Sequence, residues 1–152
     1  MKLIRVQESD FDAGALLDEL RTGRSDIGAS VIFTGYVRDL NLDDHIQALR
    51  LEHYPGMTEK ALEEIVNEAI SRWDLTDVAV IHRVGELRPS DQIVLVAVTS
   101  AHRGDAFAAC EFIMDYLKTR APFWKKERLK DGSSRWVEAR SSDEEAAERW
   151  KE

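Results

Sequence analysis

The hydrophobic and polar positions of the first forty-five residues predict a strand, a helix and a second strand. "KLIRVQ" alternates as a short strand does, and Ser9 or Asp10 is the expected cap of a helix that ends near Gly23. "IGASVIFTGYVRD" is rich in β-branched and aromatic residues and predicts a strand, after which "DLNLDDH" predicts a polar loop. The apolar stripe of the helix consists of Ala13, Leu16, Leu17 and Leu20.

The middle of the chain predicts a third strand, a long helix and two strongly apolar strands. "QALRLEHY" is the third strand, Pro55-Gly56 stops it, and Thr58 is the expected cap of the helix that follows. "DVAVIHRVG" and "QIVLVAVTS" are the apolar strands, separated by the turn-forming residues of "ELRPSD". The helix carries an apolar stripe of Ala61, Leu62, Ile65, Val66, Ala69, Ile70 and Trp73, which predicts that it lies on a sheet.

The last third predicts a helix, a hairpin and a terminal helix. The chain passes from the second apolar strand through "AHRG" into a helix that Pro122 ends. "FWKKERL" and "SRWVEAR" flank a turn and predict a hairpin, and "SSDEEAAERWKE" predicts a capped helix. This order of elements predicts an α+β fold with a mixed sheet and flanking helices, in a single domain over residues 1–152.

Composition narrows the class of protein. With 43% hydrophobic and 33% charged residues, the chain has enough apolar surface to form a soluble globular domain. No apolar run reaches the ~20 residues that span a bilayer, and the first residues lack a signal-peptide core, so a cytoplasmic protein without membrane contact is expected. One cysteine and four histidines without close helical spacing give little support to a metal site.

Positive charge is concentrated in one segment of an acidic chain. The formal net charge is −8, from 21 basic and 29 acidic residues, yet residues 118–130 hold six basic residues and one acid, which makes the segment +5 and leaves 15 basic against 28 acidic residues, or −13, elsewhere. A general nucleic-acid binder has a broad basic face instead. The pattern predicts an anionic ligand at residues 118–130.

Lys118, Lys125 and Lys126 are candidates for chemistry in this segment. Lys118 lies near the end of its helix, and the Ala-Pro that follows turns the chain so that the lysines can converge. Crowded ammonium groups disfavour one another's protonation, which suits proton exchange near neutral pH. The alternative is a solvated basic hairpin with one helix-capping lysine. Phe123 and Trp124, which interrupt the cations with apolar walls, favour the first interpretation.

His102-Arg103 and Arg38 are further candidates, because each lies where a strand ends. Backbone N–H groups and a guanidinium at a strand-to-helix junction suit a phosphate or carboxylate, although a turn residue and a surface charge explain the same pair. A helix would hold Arg103 and Lys118 roughly 20 Å apart at 1.5 Å rise per residue. Either one end alone is functional, or two subunits bring opposite ends of the helix together across a symmetric interface.

Cys110 lies on the apolar stripe of that same helix. It is one turn from Ala106 and from Ile113 and Met114. This position favours a buried small hydrophobe over a reactive thiol, so the chain is not expected to carry sulfur itself.

Six stretches, in order, resemble the large, catalytic subunit of molybdopterin synthase. They are "FTGYVRDLN", "LEHYPGMTEKALEEI", "VIHRVGEL", "VTSAHRGDAF", "FIMDYLKTRAPFWKKE" and "RWVEARSSDEEAAERW". A colinear set that covers most of the chain from about residue 30 is highly specific. The resemblance implies an α/β hammerhead-type fold and an enzyme, a sulfurtransferase, that converts cyclic pyranopterin monophosphate into molybdopterin by installing two sulfurs as a dithiolene.

The resemblance also implies partners. The sulfur would arrive as a thiocarboxylate on the C-terminal Gly-Gly of a ubiquitin-like small subunit, with no permanently bound cofactor. A homodimer of large subunits would carry one small subunit at each end, as a heterotetramer. Phe33, Met114, Phe123 and Trp124 are candidate walls of the channel for the partner's tail, and core packing is the alternative for each.

The family's functional positions fall on nine residues of this chain. Arg38, His102 and Arg103 suit the binding of the phosphate and the polar pterin edge, and Lys118 and Lys125 suit proton transfer and the stabilisation of anionic intermediates. Tyr36 departs from the lysine of relatives, so a backbone contact is the expected role there. The substrate-binding set implied by the resemblance is Tyr36, Val37, Arg38, His102, Arg103, Lys118, Lys125, Lys126 and Glu127.

The main alternative function is a non-catalytic adaptor. Such a protein would bind an acidic or ubiquitin-like partner through the +5 segment and would need neither His102, Arg103 nor Arg38. A nucleic-acid module is a third possibility, which the acidic remainder of the chain disfavours.

Overall fold

A computed structural model describes residues 1–41, 44–137 and 141–151. Within these residues the chain forms nine strands and four helices. The strands are β1 (Lys2–Gln7), β2 (Ala29–Tyr36), β3 (Leu40–Asn41), β4 (Asp44–His53), β5 (Asp77–Arg83), β6 (Gly85–Leu87), β7 (Gln92–Ser100), β8 (Phe123–Leu129) and β9 (Ser134–Val137). The helices are α1 (Ala13–Arg21), α2 (Met57–Arg72), α3 (Arg103–Arg120) and α4 (Ser141–Glu148).

The first sheet has the strand order β1-β5-β7-β2 and is covered by helices on both faces. β1 pairs with β5 in parallel, and the other two pairs are antiparallel. Alternate residues of β5 and β7 enter two different cores, one with α2 and α3 and one with α1. Burial on both faces is why these strands are continuous apolar runs rather than alternating ones. The predicted α+β class with a mixed sheet is confirmed.

The second sheet has the order β3-β4-β8-β9, with β6 paired to β4. Its inner face forms a third core from Leu49 and Leu51 of β4 and Leu87 of β6, together with Val37 and Val84. β8 and β9 are antiparallel, as the predicted hairpin requires. The end of α3 and the start of β8 therefore lie where the two sheets meet.

Helix α3 runs past both sheets and carries residues that are buried along its whole length. Its N-cap is His102 and its C-cap is Ala121, so Pro122 ends the helix as predicted. Phe112 contacts Trp73 and Trp150 edge to face, with ring centroids 5.3 and 5.6 Å apart. The indole N–H of Trp150 also donates to Asp115 at 2.6 Å. These contacts fix α3 against α2 and the end of the chain.

Three local predictions were wrong. Asp12, not Ser9 or Asp10, caps α1 by accepting the N–H of Ala15 at 3.0 Å. Gly56, not Thr58, is the N-cap of α2, because the helix already begins at Met57; the buried Thr58 hydroxyl accepts the N–H of Tyr54 at 2.9 Å and donates to the carbonyl of Pro122 at 3.1 Å.

The third concerns the polar segment after β2, predicted as a loop. It contains β3 paired with the first residues of β4, since polar side chains on the open face of an edge hairpin hide the strand signal. Leu42 and Asp43 of that prediction, and residues 138–140 of the predicted hairpin, lie outside the described residues.

Candidate active site

An open cavity of about 490 Å³ lies between the C-terminal end of α3, the start of β8 and the segment that follows β2. Of the nine predicted substrate-binding residues, the cavity is lined by Tyr36, Val37, Arg38, Lys118, Lys125 and Glu127. The tertiary structure thus brings together residues as far apart in the sequence as Tyr36 and Glu127. The apolar part of the cavity wall consists of Ile46, Leu49, Ile93 and Leu117.

Backbone hydrogen bonds position Arg38. The N–H of Val37 donates to the carbonyl of Asp91 at 2.9 Å, and the carbonyl of Val37 accepts from the N–H of Ser90 at 2.7 Å. To complete this pairing, Ser90 adopts the left-handed backbone conformation, with φ 78°. That conformation is energetically costly for a residue other than glycine. The bonds continue β2 by one residue and aim the next, Arg38, at the cavity.

The turn after α3 positions the two lysines. The N–H of Phe123 donates to the carbonyl of Ala121 at 2.9 Å, so β8 begins immediately after the helix. Because side chains alternate along a strand, Lys125 lines the cavity while Lys126 lies on the opposite face. There the ammonium of Lys126 stands over the Trp136 ring, 5.4 Å from its centroid. The structure separates two neighbouring lysines that the sequence could not distinguish.

The four residues predicted to wall the channel for the partner's tail do not all lie at the cavity. Phe123 lines the cavity and Trp124 shares the outer face with Lys126. Phe33 of β2 is 40% exposed, and Met114 packs against the core between α3 and the first sheet.

Glu127 forms part of the cavity wall with both carboxylate oxygens occupied. One accepts from the guanidinium of Arg135 at 2.9 Å and the other from the side-chain amide of Asn41 at 2.8 Å. Arg135 continues to the carboxylate of Asp44 at 2.7 Å. Glu127 therefore links β8 to β9 and to the β3–β4 hairpin; its predicted contact with substrate stays a prediction.

The cavity retains positive charge. Among the residues that the structure describes, neither Arg38 nor Lys118 forms an ion pair, and the lining also includes Lys125. Glu127, whose charge Arg135 balances, and Asp143 of α4 are its acidic members. Cations without internal partners are neutralised by an anionic ligand, so the cavity suits a phosphate or carboxylate.

His82 is a member of the site that the sequence did not indicate. It lies in β5, is 4% exposed and lines the cavity. Burial, with the nearby charges of Lys118 and Lys125, lowers the pKa of its imidazole to about 3 although a hydrogen bond to Arg83 opposes the shift. A histidine in an otherwise apolar strand, "VAVIHRVG", was the available signal, and periodicity alone does not show which cavity it faces.

His102 and Arg103 lie at the other end of α3 and outside this cavity. Both are exposed, and Lys118 follows Arg103 by fifteen positions within the same continuous helix. At 1.5 Å per residue the helix holds them roughly 20 Å apart, so one chain does not bring them together.

Cys110 is buried, as predicted. Burial raises the pKa of its thiol to about 11, and the sulfur lies 3.8 Å from the carbonyl oxygen of Val96. A protonated, enclosed thiol is a poor nucleophile, so it packs as a small apolar group.

Comparisons with known proteins identify the family. The sequence model described as "MoaE protein" matches residues 6–120, which is more than half of the chain. The chain belongs to the MoaE family. A relative from Ralstonia nicotianae, named molybdopterin synthase catalytic subunit, is 64% identical over 150 residues, covering 99% of this chain and 85% of that protein.

Solved structures agree with this assignment. The MoaE structure from Burkholderia ambifaria is 58% identical, with a TM-score of 0.83 over 99% of this chain and 98% of that one. A complex of subunits 1 and 2 of the molybdopterin-converting factor from Helicobacter pylori contains a chain with the same fold, with a TM-score of 0.73, 21% identity, and coverage of 91% and 92%. The predicted family is confirmed. In the described part of the chain, none of the helices has the length and apolar character needed to cross a membrane.

Proposed function

We propose that this chain is the catalytic subunit of a molybdopterin synthase, a sulfurtransferase that converts cyclic pyranopterin monophosphate into molybdopterin. The observation that carries the proposal is the meeting of Arg38, Lys118 and Lys125 in one cavity of a MoaE-family fold. Three cations from three different elements suit a substrate that carries a phosphate and passes through anionic intermediates.

The roles follow from the geometry of the cavity. Arg38, fixed by the backbone at the end of β2, grips phosphate oxygens, since a guanidinium binds oxyanions in a bidentate way. Lys118 and Lys125 approach from α3 and β8 and stabilise negative charge while sulfur attacks the pterin side chain. The Tyr36 side chain also lines the cavity. Its assigned role is to help position the substrate rather than to stabilise charge.

The sulfur comes from outside the chain in this proposal. Cys110 is the only cysteine, and it is buried. A ubiquitin-like small subunit with a C-terminal thiocarboxylate would deliver the sulfur into the open side of the cavity, and no permanently bound cofactor is required. A narrow Gly-Gly tail passes where bulkier side chains do not.

His102 and Arg103 would act through a second copy of the chain. In a twofold homodimer within a heterotetramer, the N-terminal end of one α3 would meet the cavity beside the C-terminal end of the other, which resolves the separation of roughly 20 Å. Mixing a His102→Ala/Arg103→Ala variant with Lys118→Ala should restore up to about a quarter of the activity, because half of the randomly mixed dimers carry one intact site. Absence of any recovery in verified hybrid dimers would contradict the shared site.

The direct test of the function is reconstitution. The chain is incubated with the pterin precursor and a thiocarboxylated small subunit, and dithiolene formation is measured. Lys118→Ala should retain its fold and its affinity for the small subunit but lose roughly a hundredfold or more in rate. Lys130→Ala is the matched control, since it removes the same charge from an exposed turn. Partner binding without conversion by the wild-type protein would favour the adaptor instead.

A further inference from the structure

His82 is a buried titratable group of the cavity to which the proposed mechanism gives no role. It lies near the end of β5, with β1 on one side and β7 on the other, paired with Val6 and Val94. Two neighbouring strands give this part of the backbone little freedom to move. The ring lines the cavity together with Lys118 of α3 and Lys125 of β8, whose charges act on it.

The orientation of the ring is fixed by two contacts. Nδ1 lies 2.8 Å from the carbonyl oxygen of Arg83, and the ring stacks on Phe123 with centroids 3.8 Å apart and planes 17° apart. A carbonyl oxygen only accepts hydrogen bonds, so Nδ1 carries the proton. The other nitrogen, Nε2, is then an unprotonated acceptor; it has no hydrogen-bond partner among the described residues and is not fully enclosed, so it is available to a group in the cavity that His82 lines.

The surroundings keep this acceptor neutral. Burial is the largest cause of the lowered pKa, and electrostatic repulsion from Lys118 on α3 and Lys125 on β8, with a smaller contribution from the His53 side chain on β4, adds to it. Protonating His82 would place another cation beside two ammonium groups in a partly desolvated site. The imidazole is therefore unsuited to act as a base near neutral pH and suited to accept a hydrogen bond.

We propose that His82 positions the substrate by accepting, at Nε2, a hydrogen bond from an N–H or O–H group of the bound pterin. The inference rests on the proposed function and adds a specificity element to it. Arg38 and the lysines recognise oxyanions of any kind, whereas an oriented neutral acceptor recognises a donor at one place on the ring system. His82 would thus distinguish the pterin from other phosphorylated molecules that fit the cavity.

Two substitutions separate this role from packing. His82→Phe retains a ring of similar size to stack on Phe123 but has no acceptor, and His82→Gln places an amide oxygen about as far from the backbone as Nε2. With folding verified by the unfolding temperature, His82→Phe should raise KM for the pterin about tenfold, the effect of one lost hydrogen bond, and change kcat less. His82→Gln should recover most of the affinity. A wild-type KM in folded His82→Phe would overturn the inference.

A spectroscopic measurement on the wild-type protein works even if both variants misfold. In ¹⁵N-labelled protein, the His82 Nε2 resonance should be that of an unprotonated nitrogen, and it should move on addition of the pterin precursor but not of inorganic phosphate. An Nε2 chemical shift that does not change with the precursor, or that changes equally with phosphate, would refute the assignment. Failure of the wild-type protein to form dithiolene refutes the proposed function instead, so the two failures are distinguishable.

Discussion

Asp77, beside the N-terminal end of α3, and the cavity cations, beside its C-terminal end, differ in their ion pairing. Beside its N-terminal end, the fully buried carboxylate of Asp77 accepts hydrogen bonds from Arg24 at 2.7 Å, from Thr99 at 2.7 Å and from the N-terminal ammonium at 2.9 Å. Beside its C-terminal end, Arg38 and Lys118 form no ion pair within the described residues. The buried carboxylate beside one end thus has several partners, whereas these two cations of the cavity have no ion-pair partner in the part of the chain that the structure describes.

The difference separates stability from chemistry. A buried carboxylate with three donors holds its surroundings in one arrangement, and breaking the network leaves a charge that water cannot reach. Cations without internal partners contribute little to folding but gain strongly when an anionic ligand arrives. His102 and Arg103 are exposed and lie at the N-terminal end of α3, beside the Asp77 network. The cavity cations that an anionic ligand would neutralise lie at the C-terminal end of α3.

Removing the charge at the paired end should have the largest effect on stability. Asp77→Asn should lower the free energy of unfolding by about 3 kcal/mol, because the buried side chain loses its charge-assisted hydrogen bonds with Arg24, Thr99 and the ammonium. Asp26→Asn, which removes an exposed partner of the same Arg24, is the control and should change little. Urea denaturation measures both. Equal losses in the two variants would contradict the contrast between the ends.

The same variant has a pH signature. Burial by itself raises the pKa of Asp77, but the hydrogen bonds from the N-terminus, Thr99 and Arg24 outweigh it and lower the pKa below its ordinary value. A carboxyl with a lowered pKa contributes stability above its unfolded pKa, about pH 4, and loses it as the pH falls further. Asp77→Asn should lack this acid-side contribution.

At the cavity end, substitution should affect activity rather than folding. Lys125→Ala should reduce conversion of the precursor roughly a hundredfold with little change in unfolding temperature, since the lost group acts on the reacting charges. Lys126→Ala, whose side chain stands over Trp136 on the other face of β8, is the matched control. Steady-state rates for the two variants test the contrast, and similar losses in both would place the outer face of β8 in the reaction.

The neutral histidine of the cavity should make stability depend on pH in mild acid. His82 has a pKa of about 3 when folded and about 6.5 when unfolded, so between these values the unfolded chain binds the additional proton. The contribution of His82 to the free energy of unfolding should decrease as the pH falls from 6.5 towards 3, by about 1.4 kcal/mol per pH unit. Denaturation at pH 6.5 and pH 5 should show this slope in the wild-type protein, and His82→Phe should flatten it.

The smallest effect is expected for a substitution of Cys110, which lies between the two ends of α3. Cys110→Ala should cost about 1 kcal/mol of stability from lost packing and leave kcat unchanged, because the enclosed thiol takes no part in sulfur transfer. A thiol-specific reagent should also react with native protein far more slowly than with unfolded protein. Loss of turnover in a folded Cys110→Ala would require a route for sulfur through this chain.

Sequence patterns predicted the parts of the fold that depend on local periodicity. The apolar runs of β5 and β7, the stripe of α2 and the break at Pro122 each report a preference that nearest neighbours in the chain establish. The helix caps were predicted less well. Thr58 has the right residue type for a cap, but the helix begins one residue earlier, and the Thr58 hydroxyl accepts from Tyr54 and donates to the distant carbonyl of Pro122.

The sequence by itself determined the α+β class, the family resemblance, the +5 segment at residues 118–130 and the burial of Cys110. Each follows from residue type and spacing along the chain. Only the tertiary structure decided that Lys125 faces the cavity and Lys126 does not, that both oxygens of Glu127 are engaged, and that His82 lines the same cavity as Lys118 and Lys125. These depend on how two sheets meet around the end of α3, and a contact between residues far apart in the chain leaves no periodic signal in either segment.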